Sequence, residues 1–402
     1  MKTLDNIPRP GYLDKIIPYT GKGIIKVLTG QRRVGKSYIL RAVEEEIRKT
    51  SPEANYITVN LEDFAFAHIT DAEALNHEIC SRLSPSLMNY IFIDEVQEVE
   101  GFDKVLRSLN LDSHNDIYVT GSNSSMLSSE IASRLAGRSL EFRIHPLSYT
   151  EFLEFHALND SDDEVYAYLR YGGMPYLRNL SSRASWNEYL TGITDALVYR
   201  DIVTRHSLRN TDFLQRMLMF MADNVGQLFT AKRIADYLKS QRLGGTVGSV
   251  QTYADYICDA YIVNKSRRWD IEGKRYFEIG EKYYFEDLGI RNSIVGYRPT
   301  DISGLLENAV YNKLVSDGCE VMTGIMPKGR EIDFVAERGG ERRYIQVAVN
   351  VSDPATAERE FGNLRDISDN YEKILVTLRD SAPNTNDGIR MMSLREFLCE
   401  DY

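Results

Sequence analysis

The stretch Gly30-Gln31-Arg32-Arg33-Val34-Gly35-Lys36-Ser37 decides the fold of the N-terminal part of this chain. It matches the pattern G-x-x-x-x-G-K-[ST] at every fixed position. Glycines at this spacing let the backbone wrap so that its N–H groups point at phosphate oxygens, and the helix that follows adds the positive end of its dipole. Lys36 supplies a positive charge for the β- and γ-phosphates, and Ser37 supplies a hydroxyl for Mg²⁺. The eight residues of this phosphate loop therefore predict ATP and Mg²⁺ as cofactors.

A second motif follows about sixty residues later. The apolar run Tyr90-Ile91-Phe92-Ile93 predicts a buried strand, and it ends in Asp94-Glu95. At the end of such a strand, Asp94 is positioned to hold Mg²⁺ through water, and Glu95 to polarise the attacking water. We expect Asp94 to join Ser37 at the metal and Glu95 to be the catalytic base.

Three further residues are candidates for the hydrolytic site. Asn123 follows the next strand, in Thr120-Gly121-Ser122-Asn123, where a polar side chain can contact the water and the γ-phosphate. Arg134 and Arg138 lie four residues apart near a helix end. Either arginine can act as an arginine finger, within one chain or from a neighbouring copy.

The surrounding pattern alternates short apolar runs with helical periodicity. Strands are predicted at residues 24–28, 56–59, 90–93, 117–119 and 140–144, with helices at 37–48 and 69–83. This alternation is typical of a parallel sheet covered by helices on both faces. The fold class predicted for the N-terminal part is therefore α/β, of the P-loop type.

The middle of the chain has a different pattern of apolar residues. Helical spacing dominates from Tyr149 to about Tyr237, and two further helix starts precede two β-like stretches, at residues 261–267 and 275–284. Helices followed by a hairpin indicate a winged helix. A set of basic residues falls in this region, with Trp269 beside them as a possible stacking group. The set consists of Lys232, Arg233, Lys239, Arg242, Lys265, Arg267, Arg268, Lys274 and Arg275.

Composition narrows the function classes. The chain of 402 residues has a net charge of −11, which argues against a protein that coats nucleic acid indiscriminately. It lacks an apolar run of the length that spans a bilayer, so we expect no membrane association. The four cysteines, Cys80, Cys258, Cys319 and Cys399, form no CxxC pair. Scattered cysteines of this kind favour a reducing cytoplasm over a disulfide framework or a zinc site.

The whole chain resembles a large group of bacterial and archaeal AAA-type ATPases. The resemblance rests on the phosphate loop and on several runs along the chain: Arg9-Pro10-Gly11-Tyr12-Leu13, residues 117–124, Leu135-Ala136-Gly137-Arg138, Pro146-Leu147-Ser148-Tyr149, Gly172-Gly173-Met174-Pro175 and Arg200-Asp201-Ile202. It implies an AAA-type module at residues 1–148, a helical region at 149–225, a winged helix at 226–297 and a small α/β nuclease-like domain at 298–402. Its motif positions also support Asn123 as a sensor and Arg138 as a finger.

The last domain of that group resembles the PD-(D/E)xK nuclease fold. The resemblance places Glu307 on the first helix, Asp333 on a strand, and Gln346 at the start of the (D/E/Q)-x-K positions. The lysine of that motif is replaced by Ala348, although Lys328 is a possible substitute. Nucleases of this fold need a lysine beside metal-binding carboxylates. The departure predicts a catalytically silent domain.

Three functions remain open on the sequence alone. The first is an ATP-driven conformational change that acts on or near DNA. The second is an ATP-dependent switch or scaffold for protein partners, and the third is an ATP-gated nuclease. AAA-type modules often form rings, so a homo-oligomer is a further expectation, although no residue fixes a subunit number.

Overall fold

A computed structural model describes residues 8–122, 135–273, 275–379 and 385–400. The chain divides into two compact units. The first consists of Met1–His145 with Asp259–Tyr261, and the second of Pro146–Cys258 with Ile262–Tyr402. The predictions for Asn123 and Arg134 lie outside the described residues.

The first unit contains a parallel β-sheet whose described strands run in the order β2-β3-β4-β1-β5. The strands are β1 Ile25–Thr29, β2 Asn55–Asn60, β3 Asn89–Asp94, β4 Asn115–Gly121 and β5 Ser139–Arg143. The described helices are α1 Pro10–Ile16, α2 Lys36–Thr50, α3 Ala72–Arg82 and α4 Phe102–Leu109. The predicted α/β fold class is confirmed.

Burial explains why these segments form a sheet. Every residue of β1, β3 and β4 is buried, as expected for central strands that have helices on both faces. Ile25 and Val27 pack on one face in a cluster with α3 and α4, and α2 contacts the central strands outside that cluster. Because the strands are parallel, β1, β3 and β4 bring their carboxyl ends to one edge. The phosphate loop and Asp94 therefore lie at the same edge.

The second unit begins with helices. They are α5 Tyr149–His156, α6 Asp162–Tyr171, α7 Arg183–Ala196, α8 Thr211–Asp223, α9 Ala231–Ser240 and α10 Val247–Asp259. A π-helix, Leu197–Thr204, directly continues α7. The antiparallel hairpin of β6 Val263–Asp270 and β7 Arg275–Phe285 follows α10, as the sequence predicted.

The hairpin is part of a larger sheet. The described strands of that sheet run in the order β12-β13-β11-β10-β9-β8-β6-β7, with β6 parallel to β8. The remaining strands are β8 Glu320–Ile325, β9 Glu331–Arg338, β10 Glu341–Ala348, β11 Glu372–Thr377, β12 Thr385–Asn386 and β13 Ile389–Ser393. The remaining helices are α11 Leu288–Val295, α12 Ile302–Ser316, α13 Pro354–Arg365 and α14 Leu394–Cys399.

Several of these elements were not predicted from the sequence. The resemblance placed Glu307 on a helix and Asp333 on a strand, where the structure has α12 and β9, whereas β8, α13 and β13 were not predicted. Nor did the sequence indicate that the hairpin continues into the C-terminal sheet. The division into four domains stays a prediction. Among the described residues, none of the helices has the length and apolar character needed to cross a membrane.

Candidate functional site

The two glycines of the phosphate loop occupy conformations that other residues rarely adopt. Gly30 has a φ of 137°, and a Cβ there would lie 2.1 Å from the carbonyl oxygen of Ile144. Gly35 has a φ of 100° and precedes the first residue of α2. Positive φ favours glycine because it has no Cβ. The loop therefore has this shape only with glycine at both positions.

The Lys36 side chain is held in place by backbone groups of the phosphate loop. Its ammonium donates hydrogen bonds to the carbonyl oxygens of Gly30, at 3.0 Å, and Gln31, at 3.1 Å. The Glu95 carboxylate lies 3.9 Å away. Carbonyl oxygens are neutral acceptors, whereas hydrogen bonds between ionised groups are about twice as strong. An anionic phosphate therefore competes well for this ammonium.

Ser37 and Asp94, the two predicted magnesium ligands, are in contact. The Ser37 hydroxyl donates to Asp94 Oδ1 at 3.1 Å, and the Thr120 hydroxyl donates to the same oxygen at 2.5 Å. Burial raises the pKa of Asp94 above its usual value, while the two hydroxyls and Lys36 oppose that shift. Carboxylate and hydroxyl oxygens suit Mg²⁺ as a hard cation. The residues present therefore fit a magnesium ion.

Glu95 has a different electrostatic balance from its neighbour. Burial alone would raise its pKa, but Lys36 and hydrogen bonds from Ser122 and Gln97 outweigh burial and hold the pKa below the usual value. Both bonds reach Glu95 Oε2. The carboxylate is thus ionised at neutral pH, as a group that polarises water must be.

Thr120 was not among the predicted site residues. Its hydroxyl oxygen accepts a hydrogen bond from the backbone N–H of Glu95, at 2.8 Å, while it donates to Asp94. One side chain from β4 therefore positions both acidic residues at the end of β3. The signal available in the sequence was the polar run Thr120-Gly121-Ser122 at a strand end, where only Asn123 was selected.

Arg9 was also missed as part of the site, although it belongs to a run that supports the family resemblance. Its guanidinium donates to the carbonyl oxygens of Val34, at 3.3 Å, and His145, at 2.9 Å. The side chain therefore ties the phosphate loop to the segment after β5. No local pattern could reveal this contact, because the two acceptors lie 25 and 136 residues away in the chain.

The remaining loop residues have varied surroundings. Arg32 forms an ion pair with Glu62 at 3.0 Å. Arg33 has a φ of 72° and is exposed, and Val34 is fully buried. The Gln31 side chain is fully buried, and its amide has no hydrogen-bond partner among the described residues. These positions shape the loop around Lys36.

Of the two candidate arginine fingers, Arg138 lies among the residues that the structure describes. Its side chain is exposed, and its carbonyl oxygen accepts a hydrogen bond from the backbone N–H of Ile25 at the start of β1. An exposed arginine can reach a neighbouring copy, but a role in hydrolysis stays a prediction.

The C-terminal candidates lie together in the second unit. The backbone N–H of Asp333 lies 3.4 Å from Gln346 Oε1, and Glu307 and Asp333 both lie beside the ammonium of Lys282. Lys282 was not predicted for this cluster. The side chain of Lys328, the predicted substitute, lies outside the described part of the structure.

Family profiles match two segments of the chain. A profile described as an AAA domain matches residues 22–153, and a domain of unknown function matches residues 162–301. The first match covers the phosphate loop, Asp94 and Glu95. It does not extend to the C-terminal carboxylates.

Two curated relatives match most of the chain. An uncharacterised protein of Haemophilus influenzae is 34% identical over 402 residues, which cover 98% of this chain and 99% of the relative. An uncharacterised protein of Methanocaldococcus jannaschii is 30% identical over 350 residues, which cover 84% of this chain and 77% of the relative.

Similarity to solved structures is weak. The ORC1 protein of Aeropyrum pernix, solved in complex with DNA, matches with a TM-score of 0.33 and 16% identity, covering 71% of this chain and 91% of that one. DnaA from Aquifex aeolicus, solved bound to AMPPCP, matches with a TM-score of 0.32 and 15% identity, covering 62% and 87%. Scores this low do not establish a shared function.

Proposed function

We propose that this chain, an AAA-type P-loop protein that belongs to the same family as its Haemophilus influenzae relative, binds ATP with Mg²⁺ and hydrolyses it to ADP and phosphate. The observation that carries the proposal is the meeting of three groups at one sheet edge. Lys36 lies 3.9 Å from Glu95, and Ser37 lies 3.1 Å from Asp94. An ammonium for the phosphates, two oxygen ligands for the metal and an ionised carboxylate for the water thus lie together at the carboxyl ends of the strands.

Each group has one task in this proposal. Lys36 and the backbone N–H groups of the loop bind the β- and γ-phosphates, while Ser37 and Asp94 hold the metal. When bound, Mg²⁺ neutralises charge on the phosphate oxygens. Glu95 orients the attacking water and accepts its proton. Thr120 keeps the two carboxylates in register with each other.

Two roles extend the proposal to residues beyond this centre. Asn123 senses the γ-phosphate, and Arg138 or Arg134 stabilises the charge that develops during transfer. In the trans arrangement the arginine comes from a second copy of the chain, so hydrolysis rises with assembly. The specific activity of wild type should then increase with protein concentration, while a cis finger gives a constant value.

Phosphate release from purified full-length protein tests the ATPase proposal. We expect multiple turnovers with ATP and Mg²⁺, and loss of turnover when EDTA removes the metal. The Lys36→Ala variant should show no release above the level of buffer alone. Release that is equal in Lys36→Ala and wild type would show that another protein or another site hydrolyses the ATP.

We propose that DNA is the partner on which the ATP-driven change acts, through a winged helix in the second unit. The order of elements supports this assignment: α8, a single bridge between Phe229 and Glu281, then α9, α10 and the β6–β7 hairpin. In this order the bridge takes the place of the short first strand, and the hairpin takes the place of the wing.

The distribution of charge indicates how DNA would be held. Lys232, Arg233 and Lys239 are exposed on α9, whereas α10 carries neither lysine nor arginine. Trp269 packs against Tyr276, with ring centroids 4.9 Å apart, and this contact opposes the predicted stacking on bases. We therefore propose contact with backbone phosphates through α9, which gives affinity without base recognition.

DNA binding at several salt concentrations tests this part of the proposal. The double variant Lys232→Ala/Arg233→Ala should weaken binding and reduce the salt slope by about 1–2, because each phosphate contact contributes about 0.9 to that slope. The double variant Arg48→Ala/Lys49→Ala, which removes the same charge from the exposed end of α2, is the matched control.

Two outcomes separate DNA from a protein partner. Equal DNA binding by wild type and Lys232→Ala/Arg233→Ala would contradict the α9 surface. ATP hydrolysis that is indifferent to DNA, combined with a change in particle size on ATP binding, would favour the alternative of a switch or scaffold for proteins.

We further propose that residues 298–402 form a nuclease-like domain without nuclease activity. The elements that hold the three candidate residues support this proposal: Glu307 lies on the helix α12, Asp333 on β9 and Gln346 on β10. Ala348 is buried in an apolar cluster with α13, so its strand presents no cation there. DNA that stays intact in the presence of the protein, Mg²⁺ and ATP is the expected result.

A further inference from the structure

A buried lysine lies among three carboxylates in the second unit. Lys282, on β7, places its ammonium 3.2 Å from Glu307 Oε1, 3.5 Å from Glu331 Oε2 and 3.8 Å from Asp333 Oδ1. Glu307 lies on α12, and the other two carboxylates lie on β9. The four side chains form what we call the Lys282 cluster, which joins the hairpin to two elements of the C-terminal fold.

The ammonium keeps its proton in this position. Only 6% of the Lys282 side chain is exposed, and burial alone would lower its pKa. Glu307, Asp333 and Glu331 outweigh burial and raise the pKa of Lys282 above its usual value. A buried ammonium with three carboxylates within 4 Å is a fully charged counter-ion.

The carboxylates are constrained on their other sides. Tyr284 donates its hydroxyl hydrogen to Glu307 Oε1 at 2.6 Å, and the backbone N–H of Val347 donates to Asp333 Oδ2 at 2.8 Å. At Gly226 a Cβ would lie 2.8 Å from Glu307 Oε2, so the backbone itself closes in on that carboxylate. These contacts fix the carboxylate oxygens around the ammonium.

The pKa of Asp333 is affected by the other acidic residues of the cluster. Burial raises the pKa of Asp333 above its usual value, Glu307 adds to the rise, and Lys282 opposes it. Glu360, on α13, lies on the far side, where its Oε2 accepts a hydrogen bond from Gln346 at 2.7 Å. Without the ammonium, mutual repulsion among these acids would be uncompensated.

We propose that the Lys282 ammonium is the resident cation of this cluster and excludes divalent metal ions from it. Carboxylate oxygens that face one point at close range are the arrangement that binds Mg²⁺ or Mn²⁺. Here the Lys282 nitrogen fills that point. With the ammonium in place, no group of three or more acidic, histidine or cysteine side chains among the described residues could hold a metal ion.

Lys282 does not replace the lysine that is missing at Ala348. A lysine in a nuclease must be available to the phosphate or the attacking water, whereas Lys282 is engaged by three carboxylates that a metal would need. The Lys282 cluster therefore holds β7 against α12 and β9, and it is a masked cation site. Removal of the ammonium should unmask this site.

Mn²⁺ binding to the full-length protein without nucleotide, measured by electron paramagnetic resonance, tests this directly. Four proteins are compared: wild type, Asp333→Asn, Lys282→Met and Lys282→Met/Asp333→Asn. Wild type and Asp333→Asn should bind equal amounts of Mn²⁺. Lys282→Met should bind one additional Mn²⁺ per chain, and the double variant should lose it. Because all four proteins carry the same phosphate loop, metal bound there cancels.

Two results would overturn the proposal. The first is Mn²⁺ that wild type binds and Asp333→Asn loses, since the cluster would then accept metal in the presence of Lys282. The second is a folded Lys282→Met protein that gains no Mn²⁺.

Thermal unfolding keeps the proposal testable if Lys282→Met is poorly stable. Glu307→Gln should lower the melting temperature in the wild-type background and raise it in the Lys282→Met background. This reversal arises because Glu307 is paired in the first case and repelled by its neighbours in the second. A change of the same sign in both backgrounds would contradict the role of Lys282 as counter-ion.

Discussion

Two regions of this molecule use the same residue types to opposite effect. In the nucleotide site, Lys36 donates to two carbonyl oxygens and lies 3.9 Å from Glu95. In the Lys282 cluster, the ammonium has three carboxylates between 3.2 and 3.8 Å. The difference is what each lysine would lose by moving to a phosphate. Lys36 would exchange two carbonyl oxygens for charged phosphate oxygens, whereas Lys282 would leave three buried carboxylates without a counter-ion.

A lysine beside carboxylates therefore indicates a phosphate-binding site only when its ammonium can leave its present partners and contact a bound phosphate. The phosphate loop presents Lys36 from a turn shaped by two glycines, next to the ionised carboxylate of Glu95. The C-terminal carboxylates surround Lys282, so its ammonium serves as their counter-ion and is not available to a phosphate.

The largest effect is expected for Lys36→Ala. Hydrogen bonds between charged groups contribute about 1.5–3 kcal/mol each, so loss of contacts to two phosphates should weaken ATP binding about 100-fold or more. Isothermal titration with ATP and Mg²⁺ measures the change. Lys49→Ala, on the exposed end of the same helix, is the matched control and should bind like wild type. Equal affinities in Lys36→Ala and Lys49→Ala would remove the contrast between the two lysines.

Glu95→Gln should separate binding from chemistry. The amide cannot accept a proton from water, and general base catalysis contributes about 10²–10⁴-fold, so hydrolysis should fall by about 100-fold or more. The neighbouring exposed residue provides the control, Glu98→Gln, which should hydrolyse ATP at the wild-type rate. A Glu95→Gln protein with undiminished turnover would show that the base lies elsewhere.

Thr120→Val should have a smaller effect, with a characteristic dependence on pH. The Thr120 hydroxyl stabilises the ionised form of Asp94, so its removal raises the pKa of Asp94 further. Asp94 then becomes protonated at a higher pH than in wild type. The acidic limb of the profile of kcat/KM against pH therefore shifts to higher pH. Turnover at neutral pH should fall about tenfold, as expected for one hydrogen bond to a charged group.

A matched substitution on another strand of the same sheet controls for the change from threonine to valine. Thr58 lies on β2 and bonds to Glu44 at 3.1 Å. Thr58→Val should leave the pH profile in place. If Thr120→Val slows turnover without moving the acidic limb, its role is limited to the backbone of Glu95.

The smallest effect on ATP hydrolysis is expected for Lys282→Met. Lys282 makes its contacts within the second unit, and independent sites usually contribute additively to within about 0.5 kcal/mol, which is about twofold in rate. Turnover should therefore stay within about twofold of wild type at a temperature where the variant is folded. A larger loss would show that the two regions are energetically coupled.

The sequence indicated that Ser37 lies near Asp94, as the structure shows, because the signal for these residues is local. Gly30, Gly35, Lys36 and Ser37 fall within eight residues, and Asp94 with Glu95 directly follows an apolar strand. The strands of the first unit were also predicted, since short buried runs between helices have a clear pattern. Thr120 and Arg9 were missed because their contacts depend on strand order and on segments far apart in the chain.

The C-terminal region was predicted less completely for the same reason. Glu307, Asp333 and Gln346 were selected through a resemblance, and the structure brings them together. Lys282 has no motif, and it lies on a hairpin that the sequence assigned to another domain. Only the pairing of β6 with β8 shows that this hairpin belongs to the same sheet as the carboxylates.

One pair of variants and one labelled substrate show whether Lys36 binds phosphate while Glu95 drives hydrolysis. ATP labelled at the γ-phosphate is mixed with Lys36→Ala or Glu95→Gln in the presence of Mg²⁺, and retained nucleotide and released phosphate are measured in the same sample. We expect Glu95→Gln to retain intact ATP and release little phosphate, and Lys36→Ala to retain none. Phosphate release by Glu95→Gln at the wild-type rate, or retention of ATP by Lys36→Ala, would contradict these roles.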